Sequence, residues 1–592
     1  MRLAVFCLML AQLGVPASES ITDKSSTDNG SVFVWWVAPA LLKVRPSDRP
    51  PASPQQVAEI SAAQNEFEPF QIILHSPKQL AGLDVQASPL TDDNGNAIAS
   101  SSIQVYLVRG VDVKRPSRMG GQIGEWPDIL LPRVDMYFHE RRNAFPFQLA
   151  EGRNQPVWID VYVPSGTRAG VYRGKVSVTV EGKDFLTVPV RLNVRNFALP
   201  STASLATSFG FNGLAALKQH AGQYTSDDDI RALTMLYSKA ALLDRISLHG
   251  GSMIPPSFSI SGNTAAIDWK LYDQEVGPLL DGTVLGEKDP LPRARATSVE
   301  MRTHASADTN DKKMLYWREW AKHFRSRGWL DRLFDYVLDE PRVEDYPKVV
   351  ELGRLAHQAD PAIRTLVTLQ KTAMLEGSID LWSPLINCFE AKPGPDTYCR
   401  ETVTRDKYDD TPPEKKLWWY QSCASHGCNI EGGAYFKGWP SYMIDDSAVS
   451  NRVMPWLAWK YRINGELYFN TDEAYSQSKD PWTDVYLFGG NGDGTLFYPG
   501  RTAQIGGSRD IPIDSVRLKL IREGLEDYEY LVLLEHAAGR DAVARQVDRV
   551  VQNLYSFTGE PSVLGNARLE IGNEIESRLP AGNRGSTAGD GR

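Results

Sequence analysis

Two acids stand side by side in the stretch "YVLDEPRVEDYP", residues 336–347: Asp339 and Glu340, with Pro341 directly after them. A pair of carboxyl groups at one site is the equipment of glycoside hydrolysis. One protonates the leaving oxygen while the other acts at the anomeric carbon. The usual pair flanks the sugar, roughly 5 Å apart in retaining enzymes and wider in inverting ones. Chain neighbours suit a different arrangement better. In it the substrate's own 2-acetamido oxygen attacks the anomeric carbon. One carboxylate orients and polarises the amide nitrogen, and the other protonates the departing oxygen. Taken alone, "DEP" is equally well a helix N-terminal cap or a surface ion-pairing dipeptide. The element beneath the acids decides between these.

That element is "LFDYVLDE", an apolar and aromatic run with the character of a strand. It lies in residues 205–540, where strand-like and helix-like runs alternate. "LATSFGFN", "RISLHG", "IRTLVTL", "IDLWSPLINCF", "KLWWYQS" and "GELYFN" supply further strands, and a weakly marked one falls within residues 283–300. Helices are predicted over "DDDIRALTMLYSKAALLD", with acids in its first turn, and over "DWKLYDQEVGPLLDG", which ends at glycine. "DKKMLYWREWAKHFRSRG", "VEDYPKVVELGRLAHQAD" and "DSVRLKLIREGLEDYEYLVLLEHA" add three more. "DDSAVSNRVMPWLAWKYRI" is another, kinked or broken at Pro455. Eight strands alternating with helices predict a (β/α)8 TIM barrel, with an open α/β sheet as the alternative. Asp339 and Glu340 then end the fourth strand on the face where barrel active sites form. Neighbours inside a regular strand point to opposite faces. At the strand end, Pro341 forces a change of course that lets both acids lean over the mouth.

Residues 31–198 keep a different rhythm. "EPFQIILHS", "SIQVYLVRG", "QPVWIDVYV", "KVSVTVEG" and "LTVPVRLNV" alternate between turns and predict an N-terminal β-sandwich, closed off by "NFALPSTASL". Residues 541–578 read as further helices and 579–592 as a disordered tail. Residues 1–20, with Arg2, the apolar run Leu3 to Val15 and small residues around Ala17, form an export signal. A secreted or periplasmic protein is expected. The apolar run is too short to span a bilayer, and no longer one follows, so no membrane anchor is expected. In an oxidising compartment Cys423 pairs with Cys428 and Cys388 with Cys399, with zinc ligation and buried thiols as the alternatives.

A net charge of -9 argues against a nucleic-acid partner. No Gly-rich phosphate loop follows the first strand of the alternating half, and neither cofactor nor metal is expected. The 15 Trp and 23 Tyr offer flat faces for sugar rings. Tyr420, Tyr468, Asn470, Trp482 and Trp382 fall at or near predicted strand ends and are candidates for substrate binding. Trp459, just past Pro455, is positioned to cover the mouth, and His249 closes the second strand. Alternation sends only one of Trp418 and Trp419 into the barrel. "NGDGTLFYPG", with Asp493 and Tyr498, reads as a loop on the rim. "RLKLIREGLEDYEYL" brings Arg522 and Glu526 together on a helix and reads as a solvated face or as inter-helix ion pairs.

The chain resembles glycoside hydrolase family 123. The resemblance lies in "QNEFEPFQIIL", "WPDILLP" and "NQPVWIDVYVPSGTRAGVYRG", then in "YVLDEP", "RVMPWLAWKYRINGELYFN", "NGDGTLFYPG" and "IPIDSVRLKLIREGLEDYEYL". It implies a β-sandwich followed by a (β/α)8 barrel, and a retaining, substrate-assisted β-N-acetylgalactosaminidase. Asp339 would stabilise the acetamido group and the oxazolinium intermediate. Glu340 would serve as general acid and then as base. A carbohydrate-binding protein without catalysis is the competing class. A third option is a glycosidase for sugars lacking the acetamido group, which would need another nucleophile such as Asp335 or Asp472.

Overall fold

The structure, a computed structural model, describes residues 32–579 apart from 394–398, 400–401, 410–416, 424–434 and 436. The expected export signal, Cys428 and the tail beyond Leu579 lie outside the described residues.

The alternating runs of the first half form two sheets. One is antiparallel throughout, in the order Val34–Pro39, Glu66–His75, Asn154–Val163, Ile103–Val113, Gly124–Pro132. The main path of the other is Ala58–Gln64, Lys183–Ala198, Gly170–Val180, Leu80–Ala87, Phe147–Leu149. Ile72, Val157, Ile159 and Val161 of the first share one core with Val85, Val176, Val190 and Leu192 of the second. A half-exposed strand would bury every second residue. Asn154–Val163 instead buries nearly all of them, because its other face, with Trp158, Asp160 and Tyr162, meets the second half of the chain. There Tyr162 Oη donates to Asn65 Oδ1 at 2.7 Å and accepts the Leu291 N–H at 3.1 Å.

Eight short strands of the second half, among the described residues, bond in parallel: Ala206–Asn212, Leu248–Gly251, Val299–Glu300, Leu333–Leu338, Arg364–Val367, Leu381–Trp382, Trp418–Tyr420 and Gly465–Tyr468. They make two four-stranded sheets, ordered second–first–eighth–seventh and third–fourth–fifth–sixth. The helices begin and end where the caps dictate. Asp227–Leu243 starts at Ser226, whose Oγ accepts the Asp229 N–H, and carries three acids in its first turn. Lys270–Asp281 and Asn310–Arg327 stop at the left-handed Gly282 and Gly328. The run around Pro455 is two helices, Ala448–Arg452 and Met454–Lys460.

The strand–helix alternation lapses in the middle. No α-helix separates Val367 from Leu381. Among the described residues, only the 3-10 turns Ile386–Cys388 and Arg405–Tyr408 lie between Trp382 and Leu417. A disulfide joins Cys388 to Cys399 in that region, and Cys423 is disulfide-bonded as well. Helices Arg540–Val550 and Pro561–Arg578 are the last among the described residues.

The charged run of helix Val516–Ala538 is not a solvated face; the other expectation, ion pairs between helices, holds, since Arg452 of helix Ala448–Arg452 meets Asp527 at 2.7 Å and Glu523 at 3.3 Å. Arg517, Lys519, Arg522, Glu523, Glu526 and Asp527 are all buried. Its partners lie on both halves. Arg517 Nε and Nη2 each reach an oxygen of Asp128 at 2.9 Å, and Arg522 holds both oxygens of Asp160 at 2.8 Å. Asp128 and Asp160 belong to the first sheet. On the other side Lys519 meets Asp244 at 2.9 Å and Glu526 meets Arg245 at 3.1 Å. Burying one ion of such a pair without the other costs about 3–5 kcal/mol, whereas replacing both by apolar groups is often neutral. Asp160→Ala should therefore lower the urea-unfolding free energy by about 3–5 kcal/mol. Asp160→Leu combined with Arg522→Met should recover most of that loss, read as urea midpoints at unchanged slope.

Candidate active site

Strand Leu333–Leu338 ends at the two acids. Two local features bring them to one side. The pairing register with Arg364–Val367 shifts between Tyr336 and Leu338, so Val337 is an extra residue in the ladder. Such a bulge turns the residues that follow it. Glu340 then adopts φ 40°, a left-handed conformation that is uncommon away from glycine and is here followed by Pro341. Both acids are exposed at the strand end.

Each acid is held by hydroxyl groups. Asp339 Oδ1 accepts from Tyr336 Oη at 2.7 Å and from Thr368 Oγ1 at 2.8 Å. Thr368 Oγ1 also accepts the Glu340 N–H at 2.7 Å. Glu340 Oε1 accepts from Tyr420 Oη at 2.5 Å. Burial and the adjacent carboxylates push both phenols well above the ordinary tyrosine range, so they remain protonated donors. Thr368 follows the fifth strand and Tyr420 ends the seventh, so the site draws on both sheets. Beneath it Phe334, Leu366, Leu381, Trp418 and Leu467 form an apolar floor, with Tyr336 packed against it.

His249 of the second strand lies close enough to feel the charge of Asp339, and its Nδ1 meets Ser208 Oγ at 3.1 Å. Burial brings the imidazole down to about 4, so it is neutral around pH 7. Glu300, at the end of the third strand, is half-buried, and burial together with Asp335 pushes it up to about 7. Tyr336, Thr368 and Glu300 were not among the residues singled out from sequence. Tyr336 was in plain view three residues before Asp339. Glu300 was hidden by the brevity of its strand, and Thr368 carried no motif.

The site gathers Tyr420 and His249 of the expected binding residues, but not the others. The ring of Tyr468 is fully buried against Phe209 and Tyr442, and its Oη accepts the Gly494 N–H at 2.8 Å. Alternation explains this, because Leu467 takes the inward position. Asn470 folds back on its own loop, its Nδ2 donating to Glu473 Oε2 at 2.7 Å. Trp382 is buried on the opposite side from the inward Leu381. Trp459 donates to Glu535 at 2.7 Å and lies under Arg540, so it locks helices together instead of covering the mouth. Trp482 donates to the Pro499 carbonyl at 3.0 Å, 6.0 Å from Arg109 of the first sheet. Trp418 faces inward against Phe334, and Trp419 packs outward on Phe389. Tyr498 leaves the expected rim loop to donate to Asp128. Asp472, buried, accepts the Asn212 N–H at 3.1 Å, and alternation turns Asp335 away from Tyr336, so neither stands beside the acid pair. Among the described residues no group of three or more His, Cys, Asp or Glu side chains could hold a metal ion.

Residues 44–180 match the glycoside hydrolase 123 N-terminal domain, and residues 294–534 match the glycoside hydrolase 123 catalytic domain. No curated protein matches the sequence. Among solved structures, a family 123 glycoside hydrolase from Clostridium perfringens aligns with a TM-score of 0.64 at 13% identity, covering 92% of this chain and 98% of its own. A family 5 xyloglucanase from Bacteroides ovatus aligns more weakly, with a TM-score of 0.26 at 9% identity, covering 80% and 98% of the two chains. An N-terminal β-rich domain and a glycoside hydrolase catalytic domain thus make up the chain. It belongs to glycoside hydrolase family 123.

Thr368 touches both acids, so its hydroxyl should matter to turnover more than its bulk. Thr368→Val should lower kcat about 10- to 150-fold, the worth of a hydrogen bond to a charged group. Thr368→Ser should restore most of it, measured on any glycoside the protein cleaves.

Proposed function

We propose that the protein cleaves β-linked 2-acetamido sugars, N-acetylgalactosamine first among them, by a retaining, substrate-assisted mechanism. One observation carries this reading. Each acid commits one oxygen to the protein, Oδ1 of Asp339 and Oε1 of Glu340, and no described residue donates to the other. Asp339 Oδ2 is an acceptor and wants a donor, which an acetamido N–H supplies. Polarised in this way, the acetamido oxygen attacks the anomeric carbon while Glu340 protonates the departing oxygen. An oxazolinium ion forms beside the Asp339 carboxylate. Glu340, now ionised, takes a proton from the water that opens the ring, and configuration is retained. Tyr420 fixes the Glu340 carboxyl throughout.

Direct displacement on sugars without the acetamido group is the second reading, because Glu300 offers a carboxyl from a different strand. Its elevation to about 7 leaves it largely protonated below neutrality, which disfavours it as a nucleophile. We read the two four-stranded sheets as halves of one (β/α)8-type barrel behind a β-sandwich. Parallel bridges from Trp382 to Leu417 and from Leu385 to Tyr420 support one seam. A hydroxyl chain, Ser247 to Thr297 at 3.0 Å, supports the other. The Cys388–Cys399 disulfide favours an exported protein. No helix among the described residues is long and apolar enough to cross a membrane.

A panel of nitrophenyl glycosides tests the proposal. Turnover should be confined to 2-acetamido sugars. Glu340→Gln should cut kcat for them by at least about 10³-fold while leaving sugar binding intact, which separates a hydrolase from a lectin. Asp339→Asn should cost a comparable factor. Cleavage restricted to sugars without the acetamido group would sink the mechanism.

A further inference from the structure

Glu300 is used by nothing in the mechanism above, yet it faces the same space. Its register partner on the fourth strand is Phe334, and parallel partners point to the same side of a sheet. Phe334 belongs to the inner floor, while Met301, the next residue along, packs outward among the helices. Glu300 therefore points inward. Its charge reaches the Tyr336 phenol that holds Asp339.

No described side chain donates to the Glu300 carboxyl. Among the described residues the Gly250 backbone N–H approaches it. Arg302, two residues on, is turned instead to Glu275 at 2.6 Å. A half-buried carboxyl without a side-chain donor weakens a fold, and its elevation by burial is the signature of that cost. Such a group is explained when a ligand brings the donor. Resting on the substrate reading above, we propose that Glu300 is a specificity-determining residue whose carboxyl accepts a hydrogen bond from a sugar hydroxyl remote from the scissile bond. With C2 at Asp339 and the glycosidic oxygen at Glu340, the hydroxyls left for the third strand are those at C3, C4 and C6. The neutral His249, next to Gly250 on the second strand, would offer a second polar contact to the same edge.

The test compares kcat/KM of wild type, Glu300→Ala and Glu300→Gln on a nitrophenyl 2-acetamido-2-deoxy-β-galactoside and its 3-, 4- and 6-deoxy analogues. Glu300→Ala should lose on the order of 10²-fold on the parent sugar. On one deoxy analogue wild type should lose a similar factor and the variant nothing further. Glu300→Gln, which keeps an acceptor, should fall between. The urea midpoints of both variants should be no lower than that of wild type, because a strained buried carboxyl is gone. Equal losses on every analogue, no loss at all, or a lowered midpoint would overturn the assignment, as would complete inactivation on all sugars, the mark of a nucleophile. Failure of the substrate reading would look different. Wild type would then cleave only glycosides without the acetamido group, and the same deoxy comparison on that sugar would still decide the role of Glu300. If no glycoside is turned over, calorimetric binding of the free monosaccharides to wild type and Glu300→Ala gives the same comparison.

Discussion

The arrangement of the two domains rests on a buried seam of charge along helix Val516–Ala538. Each cation on that helix needs an anion brought from elsewhere. Asp128 and Asp160 come from the β-rich domain, Asp244 from just before the second parallel strand, and Asp514 from just before the helix itself. Arg452 adds a cation from the other direction, chelating Asp527 at 2.7 Å through two nitrogens. Such pairs gain little over apolar packing, because desolvation offsets the attraction. What they give is exclusivity. A guanidinium that must receive both oxygens of one carboxylate tolerates one docking of sheet on helix and penalises the rest heavily. The seam also reaches the site. Asp244 and Arg245 are held at its edge, and His249 follows shortly after them in strand Leu248–Gly251. A shift of the β-rich domain would pass directly to the wall facing Asp339.

At the strand end the constraint is conformational. The bulge at Val337 and the left-handed Glu340 together solve the problem that adjacent strand residues face opposite ways. Neither is free of cost. A non-glycine residue in that region stores of order 1–3 kcal/mol. Thr368 offsets it locally, since one hydroxyl caps the strained Glu340 peptide and steadies Asp339. Geometry and charge are thus fixed by the same atom, and a loop that relaxed would release both acids at once.

Much of this was legible in sequence, and the limits have physical causes. Helix termini were readable because their signals are local: the acids Asp227 to Asp229, Gly282, Gly328 and Pro455 act within one turn. The acid pair was readable because a strand and a proline frame it. Which aromatic faces the site was not, because alternation needs the true phase of a strand only two to four residues long. Trp382 and Tyr468 fell on the wrong side for that reason. Eight strands were counted and eight are present among the described residues, but their regular alternation with helices fails where the chain after Val367 runs in turns. The charged helix left two readings open, a solvated face or ion pairs between helices, and its partners decide for the second. A run of Arg, Lys and Glu signals solvent unless its partners are known, and Asp128 and Asp160 lie some 360 to 390 positions away in sequence.

The seam and the site treat carboxylates in opposite ways, and the contrast bears on chemistry. Along the helix, acids are matched by arginine or lysine. At the site, the described donors to Asp339 and Glu340 are a threonine and two tyrosines, and no described ion pair involves either acid. A hydroxyl orients a carboxylate without cancelling its charge, whereas a guanidinium would do both. Neutral His249 adds no positive charge either. On the substrate-assisted reading proposed above, an oxazolinium ring would carry its positive charge beside Asp339, and a carboxylate that no described cation cancels suits that charge. On that reading, with no cation among the described residues to pair with it, Asp339 would favour a substrate that brings its own N–H.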